Sequence, residues 1–271
     1  MMNNKLSARR IKAFTLLELL FVITIILILV ALLLPSLTQV KEKGRRVKCV
    51  NGQRQFIMTM NMMAKDDDGN YPQFNDAGSW RHIHWLKNGM YDKIKEDYEI
   101  DLHVDVRCPS RPETWDVYTV QGRQRFSYFI QVGRPYVTGT NKKGEAVNKT
   151  NGYDGRLGYK WEEWESPLKV GASSSDLVMI SDIDEYLLNV GFKETVMKTR
   201  LTSKTSIGIG TMVSHALGGY KVHMGAAIEP EVLGSEGVVV GYENGSVQWV
   251  DIKDVLPRRS NIGENKKTGW W

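Results

Sequence analysis

The chain has 271 residues, of which 42% are hydrophobic and 25% charged, and its formal net charge is +5. That length holds one sizeable domain plus an anchor, or two small domains, and the composition is that of a folded protein. Four of the positive charges, Lys5, Arg9, Arg10 and Lys12, fall in the first thirteen residues with no acid among them. The basic balance therefore describes the N-terminal segment, and it argues against a nucleic-acid-binding face.

The first predicted element is an apolar helix. Every residue from Leu19 to Leu34 is apolar except Thr24, and no charge appears between Glu18 and Lys41. A helix starting at Phe14 reaches Leu34 in 21 residues, about the length that crosses a bilayer core of roughly 30 Å. Backbone groups in lipid must bond internally, so a single spanning segment is helical. A cleaved signal peptide also has a basic start and an apolar run. This run is long for one, and Leu34-Pro35-Ser36-Leu37 is not a small-x-small cleavage site. Glu18 is a carboxylate at the edge of the apolar helix, a costly and usually functional placement.

The junction Lys12-Ala13-Phe14-Thr15-Leu16-Leu17-Glu18-Leu19-Leu20 resembles the leader junction of type IV prepilins and type II secretion pseudopilins. In that family a basic leader ending in Gly precedes Phe-Thr-Leu-x-Glu and an unbroken apolar helix; here Ala13 stands where the family usually has Gly. The resemblance implies cleavage between Ala13 and Phe14 by a prepilin peptidase on the cytoplasmic side, then methylation of the new Phe14 amine. It implies that Glu18, one turn further on, meets the amine of a neighbouring subunit in a filament, so that neither charge stands alone in hydrocarbon. The other reading of Glu18 places it in the headgroup zone. Pro35 falls where the family's helix often carries a kinking proline. The implied partners are the prepilin peptidase, other pilin or pseudopilin subunits, an inner-membrane assembly platform and the lipid bilayer. The implied location is the bacterial inner membrane, single-pass, with the N-terminus cytoplasmic and the C-terminal domain periplasmic or extracellular.

Beyond Pro35 the apolar residues thin to Val40, Val47, Val50, Ile57, Met60 and Ala64, which is helical spacing. The helix is expected to run to about Ala64, with an amphipathic second half packed on the following domain. Gly44 and Gly52 each weaken it by roughly 1 kcal/mol relative to Ala. Lys41, Lys43, Arg45, Arg46 and Lys48 make the second flank of the anchor basic as well, so charge alone leaves the orientation ambiguous. Asp66-Asp67-Asp68-Gly69-Asn70-Tyr71-Pro72 ends the helix. Asp66, Asp68 and Asn70 suggest calcium, but the Gly is misplaced for an EF-hand, and a plain turn is the expectation.

Short strands follow, at Phe126–Val132 and Asp176–Ser181, with Thr138–Gly158 expected as an exposed loop. Gly237–Tyr242 and Ser246–Val250 flank Glu243-Asn244-Gly245, and the Asn-Gly pair marks a hairpin. The predicted fold is α+β, a long N-terminal helix on a mostly antiparallel sheet. Its expected divisions are leader 1–13, transmembrane helix 14–35, amphipathic extension 36–64, extracytoplasmic β-rich domain 65–260 and polar tail 261–271.

Two cysteines, Cys49 and Cys108, permit one disulfide in an exported domain, or two buried thiols. A bond between them would tie helix to sheet and contribute on the order of 2–4 kcal/mol. Large pseudopilin-like proteins often carry a Cys-Val-Asn-like segment, then Cys-Pro-Ser, then a His followed by Asp-Gly before a last strand. Cys49-Val50-Asn51, Cys108-Pro109-Ser110, His215 and Asn244-Gly245 resemble these, with Asn244 in place of the Asp and a longer spacing.

Enzyme motifs are missing: there is no Gly-x-Ser-x-Gly, P-loop or dinucleotide fingerprint. His82 and His84 lack a third ligand at metal-binding spacing. Trp161 and Trp164 beside Glu162, Glu163 and Glu165 are compatible with a sugar platform or with ordinary packing. The expectation is a non-enzymatic pilin-like filament subunit without cofactor or metal. The alternative is a non-assembling, membrane-tethered binding module, with glycan as one ligand class.

Overall fold

The computed structural model describes residues 15–74, 85–86, 89–111, 119–120, 123–133, 153–154, 159–160, 166–171, 177–182, 184–191, 207–216, 221–224, 229–259 and 268–270. The chain divides into two compact units, Met1–Lys41 and Glu42–Trp271. Helix α1 (Leu16–Lys65) is continuous over 50 residues.

In the first unit, α1 exposes an unbroken apolar surface from Leu16 through Leu37. Its most apolar 18-residue window has a mean hydropathy of 3.2, and none of that window is buried. By length and composition this segment can cross a membrane. Pro35 lies inside the helix, where it removes the N–H that would bond the carbonyl of Ala31.

The second unit begins on the same helix. Its elements in chain order are β1 (Trp85–Leu86), α2 (Met90–Tyr98), β2 (Thr119–Val120), β3 (Arg123–Arg125), β4 (Tyr128–Ile130), β5 (Tyr153–Asp154), β6 (Tyr159–Lys160), β7 (Val178–Asp182), β8 (Asp184–Gly191), β9 (Ile207–Val213), β10 (Lys221–Met224), β11 (Gly237–Tyr242), β12 (Val247–Asp251), β13 (Pro257–Arg259) and β14 (Thr268–Trp270). All pairings among them are antiparallel. A four-stranded sheet has the order β12-β11-β7-β4, and a five-stranded sheet the order β10-β9-β8-β14-β13. The architecture is α+β, with the second half of α1 packed on the four-stranded sheet.

Strand β11 lies inside that sheet and is buried from Gly237 to Gly241, as a Val-Val-Val run should be when both faces are covered. At Gly241 the helix side chains press directly on the strand. A Cβ there would lie 2.7 Å from Ile57 Cδ1 and 2.9 Å from Ile180 Cγ2. Gly52 plays the same part against the loop after α2, since its Cβ would meet the Val106 carbonyl oxygen at 2.8 Å. The helical cost of Gly52 is thus the condition for close packing, whereas Gly44 faces open space. Phe56 anchors the core between Phe74 and Phe126, with ring centroids 6.1 and 5.8 Å away.

The buried face of α1 differs from the expected stripe. Val40 and Val47 are exposed and Val50 is half-buried. Ile57, Met60 and Ala64 are buried as expected, and Glu42, Cys49, Gly52, Gln53, Phe56, Thr59 and Met63 are buried with them. The apolar pattern misplaced the upper half of the stripe because three of its true members, Glu42, Cys49 and Gln53, are buried through polar partners. The helix ends where expected. Asp68 takes a left-handed φ of 49°, and the Gly69 amide closes back on the Ala64 carbonyl at 2.7 Å, a Schellman-type stop.

Strand β4 is shorter than Phe126–Val132 because the chain turns at Val132-Gly133. Strand β7 and the β11–β12 hairpin fall where the patterning put them. The 261–271 segment, expected as a polar tail, contains β14, which pairs with β8 and β13; Thr and Trp are strand-prone residues. Tyr153–Asp154, inside the expected loop, pairs with Tyr159–Lys160.

Candidate functional site

Two places in the chain carry candidate functional groups. The first is the start of α1. Thr15 Oγ1 accepts the Glu18 amide at 3.2 Å, while the Glu18 carboxylate accepts the Thr15 amide at 3.0 Å and the Thr15 hydroxyl at 2.9 Å. This is a capping box, and Thr-Leu-Leu-Glu is its sequence signature. Glu18 therefore satisfies its own helix end, a role that the apolar context of the residue had obscured. Ala13 and Phe14, the expected cleavage and methylation positions, lie outside the described residues, as do His82, His84 and Trp161–Glu165.

The second place is a fully buried cluster in the Glu42–Trp271 unit. Glu42, Cys49 and Gln53 follow one another on α1 at steps of seven and four, so they share a face. Cys108 and Ser110 come from the loop after α2, Asp182 from the last position of β7, and His215 from the segment after β9. The backbone pins them: Cys108 donates its amide to Ser127 Oγ at 3.2 Å, and the His215 carbonyl accepts the Glu236 amide at 3.0 Å.

His215 is the centre of the cluster. Its Nδ1 lies 2.6 Å from Glu42 Oε1 and 3.3 Å from Ser110 Oγ. Its Nε2 lies 3.0 Å from Asp182 Oδ2 and 3.9 Å from Cys108 Sγ. The sulfurs of Cys49 and Cys108 are 3.1 Å apart, and both are free thiols. Asp182 Oδ2 also accepts the Val239 amide at 2.8 Å, and Gln53 Nε2 donates to the Val239 carbonyl at 3.0 Å. Cys49, Cys108, Asp182 and His215 are each 0% exposed.

Charge balances across the cluster. Burial would lower the His215 pKa, but Asp182 and Glu42 outweigh it and hold the imidazole well above its ordinary 6.5. Burial would raise Glu42, but His215 and Arg45 bring its carboxyl below the usual range. Burial also raises both thiols. Cys49 stays well up, whereas Cys49 and His215 together bring Cys108 down to about 6. Arg45 reaches Glu42 at 3.2 Å. Arg46 pairs with Glu236 and stacks 3.9 Å over Trp249, whose ring meets His215 edge-on at 5.6 Å.

The structure therefore brings His215 together with Cys49 and Cys108, and the acids that face it are not at the Asp-Gly position of the C-terminal resemblance. Asn244 is exposed in the hairpin turn, where its Oδ1 accepts the Ser246 amide at 2.8 Å. The carboxylates facing His215 are Glu42 and Asp182, neither of which a motif marked. The Asp66–Pro72 segment forms the turn that ends α1: Asp66 accepts the Tyr98 hydroxyl at 2.7 Å, and the Asn70 side chain donates to the Asp67 carbonyl at 2.8 Å.

Residues 8–34 match a family model described as the prokaryotic N-terminal methylation motif. The match contains the Ala13–Phe14 junction, Glu18 and nearly all of the apolar run. With the long apolar helix, it fits a type IV pilin-like or pseudopilin-like protein, processed by prepilin peptidase and held in the membrane by a single span. No curated protein and no solved structure matches the chain.

Proposed function

We propose that the chain is a pilin-like subunit that assembles into a filament of the type II secretion or type IV pilus kind. The observation that carries this reading is the methylation-motif match over residues 8–34, lying on a helix that continues without a break to Lys65. Prepilin peptidase cuts between Ala13 and Phe14 on the cytoplasmic side, and the Phe14 amine is methylated. The apolar part of α1 remains as the anchor, and the Glu42–Trp271 unit lies on the outer side of the membrane. The subunit's partners are other pilin-like subunits and the membrane assembly platform. In the filament, the charge of Glu18 meets a neighbour's Phe14 amine.

Co-expression with a prepilin peptidase tests this reading. The expected product stays in the membrane fraction and begins at Phe14, with a methyl group when the peptidase's second activity acts. A product beginning after Leu34, or an uncut chain beside active peptidase, overturns it.

A further inference from the structure

We propose that Cys49, Cys108, Asp182 and His215 form a structural zinc site at the heart of the Glu42–Trp271 unit. One ligand atom from each of these four buried residues lies within 4.8 Å of the others. Two sulfurs, one imidazole nitrogen and one carboxylate oxygen are a donor set suited to a borderline-soft, tetrahedral ion. Four protein ligands with no open position define a structural site, since a catalytic zinc keeps one position for water or substrate.

Three further observations favour a metal over a plain ionic cluster or a disulfide. The first is the orientation of His215. Its Nε2 faces Asp182 and Cys108, while Nδ1 is held by the Glu42 carboxylate at 2.6 Å. A carboxylate on the far nitrogen is the usual way that a metal-bound histidine is fixed and made more basic. The second is Tyr128. Its hydroxyl is buried beside the Cys49 sulfur and makes no other hydrogen bond among the described residues. A thiolate at Cys49 would accept a hydrogen bond from it. The third is convergence: a disulfide would use only the two sulfurs, whereas the Asp182–His215 pair closes on the same point as both of them.

The geometry needs only a small adjustment. Thiolates at about 2.3 Å from a tetrahedral ion stand roughly 3.8 Å apart, so the two sulfurs must part by less than 1 Å from 3.1 Å. Starting from two neutral thiols and the imidazolium, binding releases three protons, one from each thiol and one from His215 Nε2, and the Asp182 carboxylate joins without loss. No electrons move. The ion would then join α1, the loop after α2, the end of β7 and the segment after β9 at one point, across sequence separations that no local turn bridges.

The test uses the full chain in detergent, purified without chelator, with zinc measured by elemental analysis and the cysteines mapped by non-reducing peptide mass spectrometry. The site predicts close to one zinc per chain and no Cys49–Cys108 disulfide. Cobalt added to reduced, metal-stripped wild-type protein should give a thiolate-to-cobalt charge-transfer band in the near ultraviolet. Cys108→Ser should lose most of that band. Glu42→Gln, which keeps all four ligands and nearly the same shape, should weaken cobalt binding about 10–100-fold. It serves where Cys108→Ser fails to fold. A Cys49–Cys108 disulfide in metal-free protein overturns the site. So does reduced, folded wild type that shows no cobalt–thiolate band, or Cys108→Ser with the band intact. These readouts do not depend on cleavage at Ala13 or on filament formation.

Discussion

Glu42 Oε1 and His215 Nδ1 meet at 2.6 Å although 173 positions separate them in the chain. Both side chains are buried, and Arg45 backs the carboxylate from outside. A buried pair adds little net stability when intact, but removing one partner strands the other. Glu42→Ala is therefore expected to destabilise the Glu42–Trp271 unit by on the order of 3 kcal/mol. Thermal unfolding of the full chain in detergent, followed by tryptophan fluorescence, measures it. An unchanged midpoint would mean that the pair does not hold α1 to the rest of the unit.

The two glycines of the lower helix should respond in opposite directions. Gly44→Ala enters open space, and it is expected to stabilise by up to about 1 kcal/mol through helix propensity. Gly52→Ala gains the same propensity but drives a methyl to 2.8 Å from the Val106 carbonyl oxygen, and overpacking of this kind costs about 1–3 kcal/mol. The same unfolding assay on both variants should show one midpoint rise and the other fall.

Asp101 gives a pH signature away from the buried cluster. Its carboxylate accepts the Lys95 ammonium and the Tyr91 hydroxyl, at 2.8 and 2.7 Å, and the His103 amide at 3.0 Å. Burial raises its pKa, but these three donors together outweigh it and bring the carboxyl down to about 2 from 3.8. A depressed folded value means that the ionised group stabilises the fold above 3.8, and that this contribution fades as pH falls toward about 2. Asp101→Asn should lower the unfolding midpoint near neutral pH. The gap to wild type should close across that acidic window. A gap that stays constant with pH would assign the effect to packing.

Glu18 can be tested without confusing its two roles. Glutamine serves in a capping box as glutamate does, but it carries no charge. If assembly depends on an ion pair with a neighbour's Phe14 amine, Glu18→Gln and Glu18→Ala should both insert in the membrane and both drop out of crosslinked oligomers. Recovery of oligomers in Glu18→Gln alone would assign the requirement to the helix cap. Ala13→Arg should block leader removal, read as a larger product by mass spectrometry, because a long charged side chain replaces a small one beside the scissile bond.

What the sequence made legible is local. The anchor shows as an uninterrupted apolar run, and the β11–β12 hairpin shows because Asn244-Gly245 dictates its own turn. The helix stop at Asp68-Gly69 is legible for the same reason. The buried cluster is not local: beyond the α1 face, Cys108, Ser110, Asp182 and His215 come from segments that no common spacing links. Its α1 members were hidden further because Glu42, Cys49 and Gln53 are polar or small residues on a buried face, where a pattern search looks for Val and Ile. Val40 and Val47 took their place in that search, although they lie on the exposed side. Cys49 and Cys108 were marked as a cysteine pair, His215 by family resemblance alone, and Asp182, at the end of an ordinary strand, was not marked.

The contact between Gln53 and Val239 spans 186 positions, and this sets an order of events during synthesis. The buried face of α1 is made early, whereas β11, which covers Ile57 and Gln53, is made much later. Until then Ile57 and Gln53 lack the strand that packs on them, and long-range pairing of this kind is slow to form. A chain ending before Gly237 would carry a complete anchor and a helix face that β11 and β12 cannot cover. A late frameshift should therefore leave an aggregation-prone, membrane-held fragment, not a smaller working subunit.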